Sequence, residues 1–246
     1  LTAFGDDVYA QKLAAVCGEL GIDISQSPVI PGGHTSTYLF ISDQTGDMQL
    51  AIADMDIYEN LTPRVLQGRR QLLDGSQVVV LDTNLPAESI RWVADNCKAP
   101  IFADPVSTAK AEKLRPVLGK LHTLKPNRLE AELLSGVAIT DDDSLRRAAD
   151  ALLETGLHRV FISLGADGVF AADRSGQKLK LPALKGDIAN TTGCGDSFMA
   201  ALAWAYLQGS DLEKSARAGR AASTITMASA DTISSAMSES ALLEKL

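Results

Sequence analysis

Positive charge is scarce in this 246-residue chain, where 23 Lys and Arg face 31 Asp and Glu for a net charge of −8. Nucleic acid and anionic membranes both need a basic footprint, so neither is expected as a partner. Cysteine is scarce as well. Cys17, Cys97 and Cys194 are odd in number and lack Cys-x-x-Cys spacing, which speaks against a disulfide framework or a zinc site. A reducing, cytoplasmic setting is the default expectation. No apolar run approaches the ~18 residues of a membrane span, and no signal peptide is visible. No Gly-x4-Gly-Lys-Ser/Thr loop occurs, so a P-loop kinase is not expected. The chain begins at Leu1 without Met, inside what reads as a larger unit, so a preceding segment is expected to be missing.

What is present is an alternation of short apolar runs and amphipathic stretches. Asp6 or Asp7 can cap a helix with Val8, Leu13, Val16, Cys17 and Leu20 at helical spacing and Gly21 as its stop. "STYLFISDQTGDMQLAIAD" then alternates with period two around a turn at Asp43–Asp47, a hairpin signal with Gly46 at its tip. From Gln77 onward the pattern is strand, helix, strand: "VVVL" at 78–81, a helix through Ile90 and Val93, then "PIFAD" at 100–104. Next comes "RLEAELLSG", stopped by Gly136, and an acid-capped helix with Leu145, Ala148, Ala149, Leu152 and Leu153 on one face. "RVFISLGADGVFAAD" is a strand, a Gly turn and a strand, and helices over 196–208 and 212–228 follow. This grammar predicts one α/β domain over 1–246: a mainly parallel sheet covered on both faces, with a small β lid at about 29–55. Ligands then belong beyond the carboxyl ends of the strands.

The stretch "NTTGCGDSFMAALAWAYLQG" concentrates chemistry. A helix starting near Gly195 aims free N–H groups and its positive dipole end at whatever precedes it, and glycines let a phosphate approach the backbone. Gly193, Cys194 and Gly195 would form an anion hole, and Asp196 at its rim could accept the proton of an attacking hydroxyl. Taken alone, the same residues fit a helix start in which Asp196 is only a cap. A hydrolase nucleophile at Ser197 would need a histidine base, and His34, His122 and His158 all precede it, opposite to the order in esterases with a Gly-Asp-Ser motif.

The stretch resembles the C-terminal signature D-T-x-G-A-G-D of the PfkB, or ribokinase-like, family of carbohydrate and nucleoside kinases, with Asn190 in place of Asp and Cys194 in place of Ala. "KPNRLEAELLSG" resembles that family's P-N-x-x-E-x-E-x-L-x-G, and "SLGADGVF" its T-L-G-x-x-G-V turn. The resemblance implies a three-layer α/β/α sandwich and ATP-dependent phosphorylation, with Asp196 as the catalytic base. It implies that Asn127 and Glu130 organise Mg²⁺ and its waters around the ATP phosphates. It places Ser163, Leu164, Gly165, Ala166, Asp167 and Gly168 along the nucleotide. It also implies a possible potassium site at Asn190 and Thr192, which the Asp-to-Asn departure puts in question. Read without the family, Asn127 is an N-cap, Glu130 a solvated helix charge, and Gly168 a hairpin glycine.

"ADMDIY", "DTNLP" and "DPVS" resemble the branch of the family that phosphorylates the 5′-hydroxyl of the C-nucleoside pseudouridine. The alternatives are a sugar kinase acting on ribose, fructose or a related sugar, or a catalytically silent nucleotide- or sugar-binding relative. Tyr38 on a lid strand could offer a face to a base, though strand packing accounts for it equally. Thr83 and Asn84 just past a strand end could reach a ligand or simply make a turn. Asp104 could join the metal–phosphate network or start the turn at Pro105. Arg64, Lys110 and Lys113 are read as solvated surface charges. The small-molecule partner is joined by a second copy of the chain, because relatives dimerise through the lid and its strand edges want cover.

Overall fold

A computed structural model describes residues 1–42 and 48–246 of the chain. The chain opens with a parallel ribbon of β1 (Phe4–Gly5) and β2 (Val29–Ile30), joined through α1 (Val8–Glu19). Asp7 is the cap. It accepts N–H groups from Thr35 and Ala10, which hold its carboxyl down at about 2, while Asp6 accepts from Gly32. The apolar stripe of α1 is not covered by the described residues, and Val8, Leu13, Val16 and Leu20 stay exposed. The helix is held by its cap and the ribbon rather than by a core face.

The lid is an antiparallel pair of its own, β3 (Thr37–Ser42) and β4 (Met48–Asp54). It is shorter than the expected 29–55, because Val29–Ile30 is drawn into the ribbon with Phe4–Gly5. The expected turn at Asp43–Asp47, with Gly46, lies outside the described residues.

After α2 (Pro63–Gln67) and α3 (Arg70–Asp74) comes the main sheet. Strands β5 (Val79–Asp82), β6 (Ile101–Asp104), β7 (Thr123–Leu124) and β8 (Arg159–Ser163) run parallel as neighbours. They continue into an antiparallel edge of β9 (Val169–Asp173) and β10 (Lys178–Leu181). Period-two alternation assigns the faces. Ile101, Ala103, Val160, Ile162, Phe170 and Ala172 face one way, packing with residues of α4 (Ala87–Asn96), α5 (Thr108–Ala111), α6 (Arg128–Ser135) and α7 (Asp142–Glu154). Phe102, Phe161, Val169 and Ala171 face the other way, onto α8 (Cys194–Leu207) and α9 (Leu212–Met227). The last helix, α10 (Glu239–Leu243), adds Leu242 to the small cluster between α8 and α9. The result is the three-layer sandwich expected from the sequence.

At the amino end of the parallel strands, the half-buried ring of His122 stacks on Phe102 with centroids 5.3 Å apart and meets Tyr206 edge-on at 4.9 Å. Desolvation, helped by Arg159, His158 and Arg174, pushes its pKa from 6.5 down to about 4. The unfolded chain takes up this proton near 6.5 while the folded chain refuses it until about 4. Stability is therefore full above 6.5 and is lost as pH falls from there towards 4. Comparing urea midpoints at pH 7.5 and 5 for wild type and His122→Phe should show about 1 kcal/mol less acid destabilisation in the variant, after discounting for solvent at a half-buried ring. Equal acid sensitivity in the two proteins would contradict this account.

Candidate active site

The parallel strands deliver their carboxyl ends to one rim. Asp82 closes β5 and Asp104 closes β6, and the two are register partners. Lys125 follows β7, and Asn127 bridges to Ser163 at the end of β8. Above this rim stands the start of α8, so acids, a lysine and a helix N-terminus meet at the crevice where such sheets bind ligands.

The helix start has the geometry of an anion cradle. Gly193 is the N-cap with φ of 85°, and a Cβ there would meet the Thr232 carbonyl oxygen at 2.4 Å. That conformation and that contact both call for glycine. A Cβ on Gly195 would lie 3.2 Å from the Lys125 Nζ, so the ammonium has been let in close under the loop. Asp196 sits in the first turn of α8 and makes no capping bond, since the cap is Gly193. The reading of Asp196 as a plain helix cap is therefore wrong. Its side chain reaches solvent at the crevice mouth, yet the surrounding protein desolvates it and raises its carboxyl above the usual range. Asp104 and Asp82 push in the same direction and Lys125 opposes them. A carboxylate raised in this way is a better proton acceptor than a solvated one.

Asn127 and Glu130 form a capping box at the head of α6: Asn127 Oδ1 accepts the Glu130 N–H, and Glu130 Oε2 accepts the Asn127 N–H at 2.8 Å. Asn127 is thus the N-cap that the local pattern suggests, but Glu130 is no solvated charge. It is 2% exposed, and desolvation raises its carboxyl. Helical spacing shows that the two share a side of α6, and only the packed molecule shows that this side is inside. Asp104 does two things at once. Its Oδ1 accepts the Val106 N–H to form the turn, and its Oδ2 pairs with Lys125 Nζ at 3.1 Å.

A cavity of about 250 Å³ lies beside the cradle. Ser163, Gly165 and Gly168 line it, as do Cys194, Phe198, Arg220 and Met227. Gly168 has φ of 93°, fitting the hairpin glycine anticipated there. Three other members of that turn are placed elsewhere. Leu164 is buried in the core, Ala166 is exposed, and Asp167 pairs with Arg128 at 2.9 Å on the surface, because alternate residues of a tight turn cannot all face one side. A second hollow, of about 290 Å³, is lined by Asp104, Val106, Lys125, Asn127, Glu130, Ser163, Gly195 and Asp196. Lys125, Ser163 and Gly195 belong to both.

The other expected site residues fare unevenly. Thr83 is fully buried and donates to the Pro105 carbonyl, so it cannot reach a ligand. Asn84 is half-buried with both ends of its amide engaged, Nδ2 to Asp82 and Oδ1 from Lys110 Nζ at 2.5 Å. Lys113 Nζ donates to the carbonyls of Thr83 and Leu85. Lys110 and Lys113 are therefore loop clamps rather than solvated charges, whereas Arg64 is exposed as expected. Tyr38 stands exposed on β3 and lines neither hollow. Asn190 accepts the Thr192 N–H and donates to the Ala230 carbonyl, shaping the loop ahead of Gly193. Among the described residues, no three His, Cys, Asp or Glu side chains converge on a metal position.

Several contributors escape the motifs. Lys125 precedes Pro-Asn and reads as a turn residue. Asp82 reads as the polar end of a strand. Arg220 and Met227 belong to an ordinary amphipathic pattern on α9. Arg220 Nη1 donates to the Pro182 carbonyl, while its buried Nε has no partner among the described residues.

Comparison with known proteins bears on the family and the fold. Residues 1–239 match the family described as pfkB family carbohydrate kinase. The pseudouridine kinase of Escherichia coli is 37% identical over 228 residues, which is 92% of this chain and 73% of that protein. The uncharacterized sugar kinase YeiI of the same organism is also 37% identical, over 93% of this chain and 64% of its own. Among solved structures, the ribokinase of Thermotoga maritima superposes with a TM-score of 0.85 at 26% identity, covering 99% of this chain and 79% of that one.

Proposed function

The chain belongs to the pfkB family of carbohydrate kinases, and from that premise we propose that it transfers the γ-phosphoryl group of ATP to the 5′-hydroxyl of a nucleoside, with pseudouridine as the first substrate. The reaction class is supported by the cradle of Gly193, Cys194 and Gly195 beside an unengaged, desolvated Asp196. The choice of pseudouridine rests on the 37% identity to the Escherichia coli enzyme of that name.

In this reading the nucleotide occupies the cavity between the Gly165–Gly168 turn and α8, with its phosphates at the helix N-terminus, where free N–H groups and the dipole favour anions. The acceptor lies in the second hollow, its hydroxyl towards Asp196. As the hydroxyl oxygen forms its bond to phosphorus, its proton passes to the Asp196 carboxylate. The bond from phosphorus to the bridging oxygen breaks and ADP leaves with the electron pair. The cradle holds the equatorial oxygens in line. The residues present would suit a magnesium ion that keeps its waters, because Glu130 and Asn127 line the hollow with oxygen-bearing side chains. With Asn127 and Glu130 holding its waters, that ion would draw charge from the phosphates.

A coupled assay of ADP release across pseudouridine, uridine, adenosine, ribose and fructose tests the substrate, with pseudouridine expected to give the highest kcat/KM. Faster turnover on a hexose than on any nucleoside would favour the second reading, a sugar kinase, for which the equal identity to YeiI speaks. We also infer a homodimer through the lid. Its cross-strand pairs Leu39–Ile52 and Ile41–Leu50 share one face and are all exposed, an apolar patch that wants cover.

A further inference from the structure

Lys125 is a buried charge with too few partners. Its side chain is 6% exposed, and among the described residues Asp104 is the acid paired with it. An ammonium has three N–H donors, so one ion pair leaves it underused. Buried ion pairs are also poor stabilisers, because desolvation of both charges offsets their attraction, and apolar replacements of similar volume often do as well. Stability alone gives little reason for a lysine here.

Its position offers one. Lys125 borders both the nucleotide cavity and the acceptor hollow, and its Nζ lies against Gly195, within the cradle at the start of α8. The phosphoryl group must cross between these spaces. Resting on the kinase reading above, we propose that Lys125 is a catalytic residue that donates through Nζ to the γ-phosphoryl group in flight, with Asp104 aiming the ammonium rather than merely neutralising it. Lys125 keeps its proton throughout. Charge spreads onto the phosphoryl oxygens as the bridging bond lengthens, and a fixed ammonium in a desolvated site stabilises that charge more than it stabilises the ground state. Glycine at position 195 then has a second purpose beyond anion access: it leaves room for the ammonium beneath the loop.

The test separates this role from structural pairing. Lys125→Met should lower kcat by ~10²–10³-fold, the scale for removing one transition-state donor, and should leave the Kd for ADP, measured by calorimetry, within about twofold. Binding of ADP with aluminium fluoride, a mimic of the phosphoryl group in transfer, should weaken by at least ~10-fold in the same variant. The double variant Lys125→Met/Asp104→Asn leaves no buried charge unpaired. If Lys125 only neutralises Asp104, the double variant will regain the rate of Asp104→Asn alone, and the proposal falls. It falls equally if the fluoroaluminate complex binds as tightly without Lys125. A wild-type protein that binds no ADP would instead overturn the kinase reading beneath it.

Discussion

Asp196→Asn is expected to lower kcat by about 10²–10⁴-fold while leaving the affinity for ATP within a few fold, the usual scale for losing a general base. The substitution preserves shape and removes only the capacity to take a proton. Gly193, not Asp196, is the N-cap of α8, and among the described residues the carboxylate forms no hydrogen bond or ion pair that the amide would disturb. Desolvation by the surrounding protein and the neighbouring Asp104 and Asp82 disfavour its charge, so neutralising it should not cost stability. Steady-state kinetics paired with nucleotide titration separates the two effects. A variant turning over at the wild-type rate would remove Asp196 from the mechanism.

Gly193→Ala should be nearly as damaging, by a different route. At φ of 85° an alanine is strained by about 1–2 kcal/mol, and its Cβ would overlap the Thr232 carbonyl oxygen at 2.4 Å. Backbone cannot swing aside as a side chain can, so the loop and the first turn of α8 must shift. Displacing the cradle by about 1 Å is expected to reduce kcat by roughly 10²-fold or more, with a lowered melting temperature. Gly195→Ala is the control. It confronts the end of one lysine side chain at 3.2 Å instead of backbone, so it should melt near wild type. If Gly193→Ala kept both its activity and its melting temperature, the cradle would not be held as described.

The fold was legible because its signals are local. The short apolar run in "PIFAD", the strand pattern of "RVFIS" and helical spacing in "DDSLRRAADALLE" need no knowledge of distant residues, and all three elements form as expected. The candidate site was legible where it is contiguous: Gly193, Gly195 and Asp196 lie within one turn, so a single stretch carries their chemistry. It was illegible where several segments converge. Lys125 and Asp82 come from strand ends and Arg220 from a helix, and only the folded chain brings Lys125 and Arg220 to one cavity and Asp82 beside Asp104. Burial misled in both directions. The apolar stripe of α1 lies uncovered by the described residues, whereas Glu130, legible alone as a solvated charge, and Thr83, legible as a turn or ligand residue, are both buried. Periodicity says which residues share a side, and the neighbours decide whether that side is covered.

Phe198 belongs to two assemblies at once. It is part of the hydrophobic cluster between the sheet and α8, and it also lines the cavity beside the cradle. No insulating layer separates tenant from scaffold. A molecule lodging there packs against the core from outside. Resistance to heat in this protein is thereby tied to occupancy, so the melting curve doubles as a gauge of what the cavity holds.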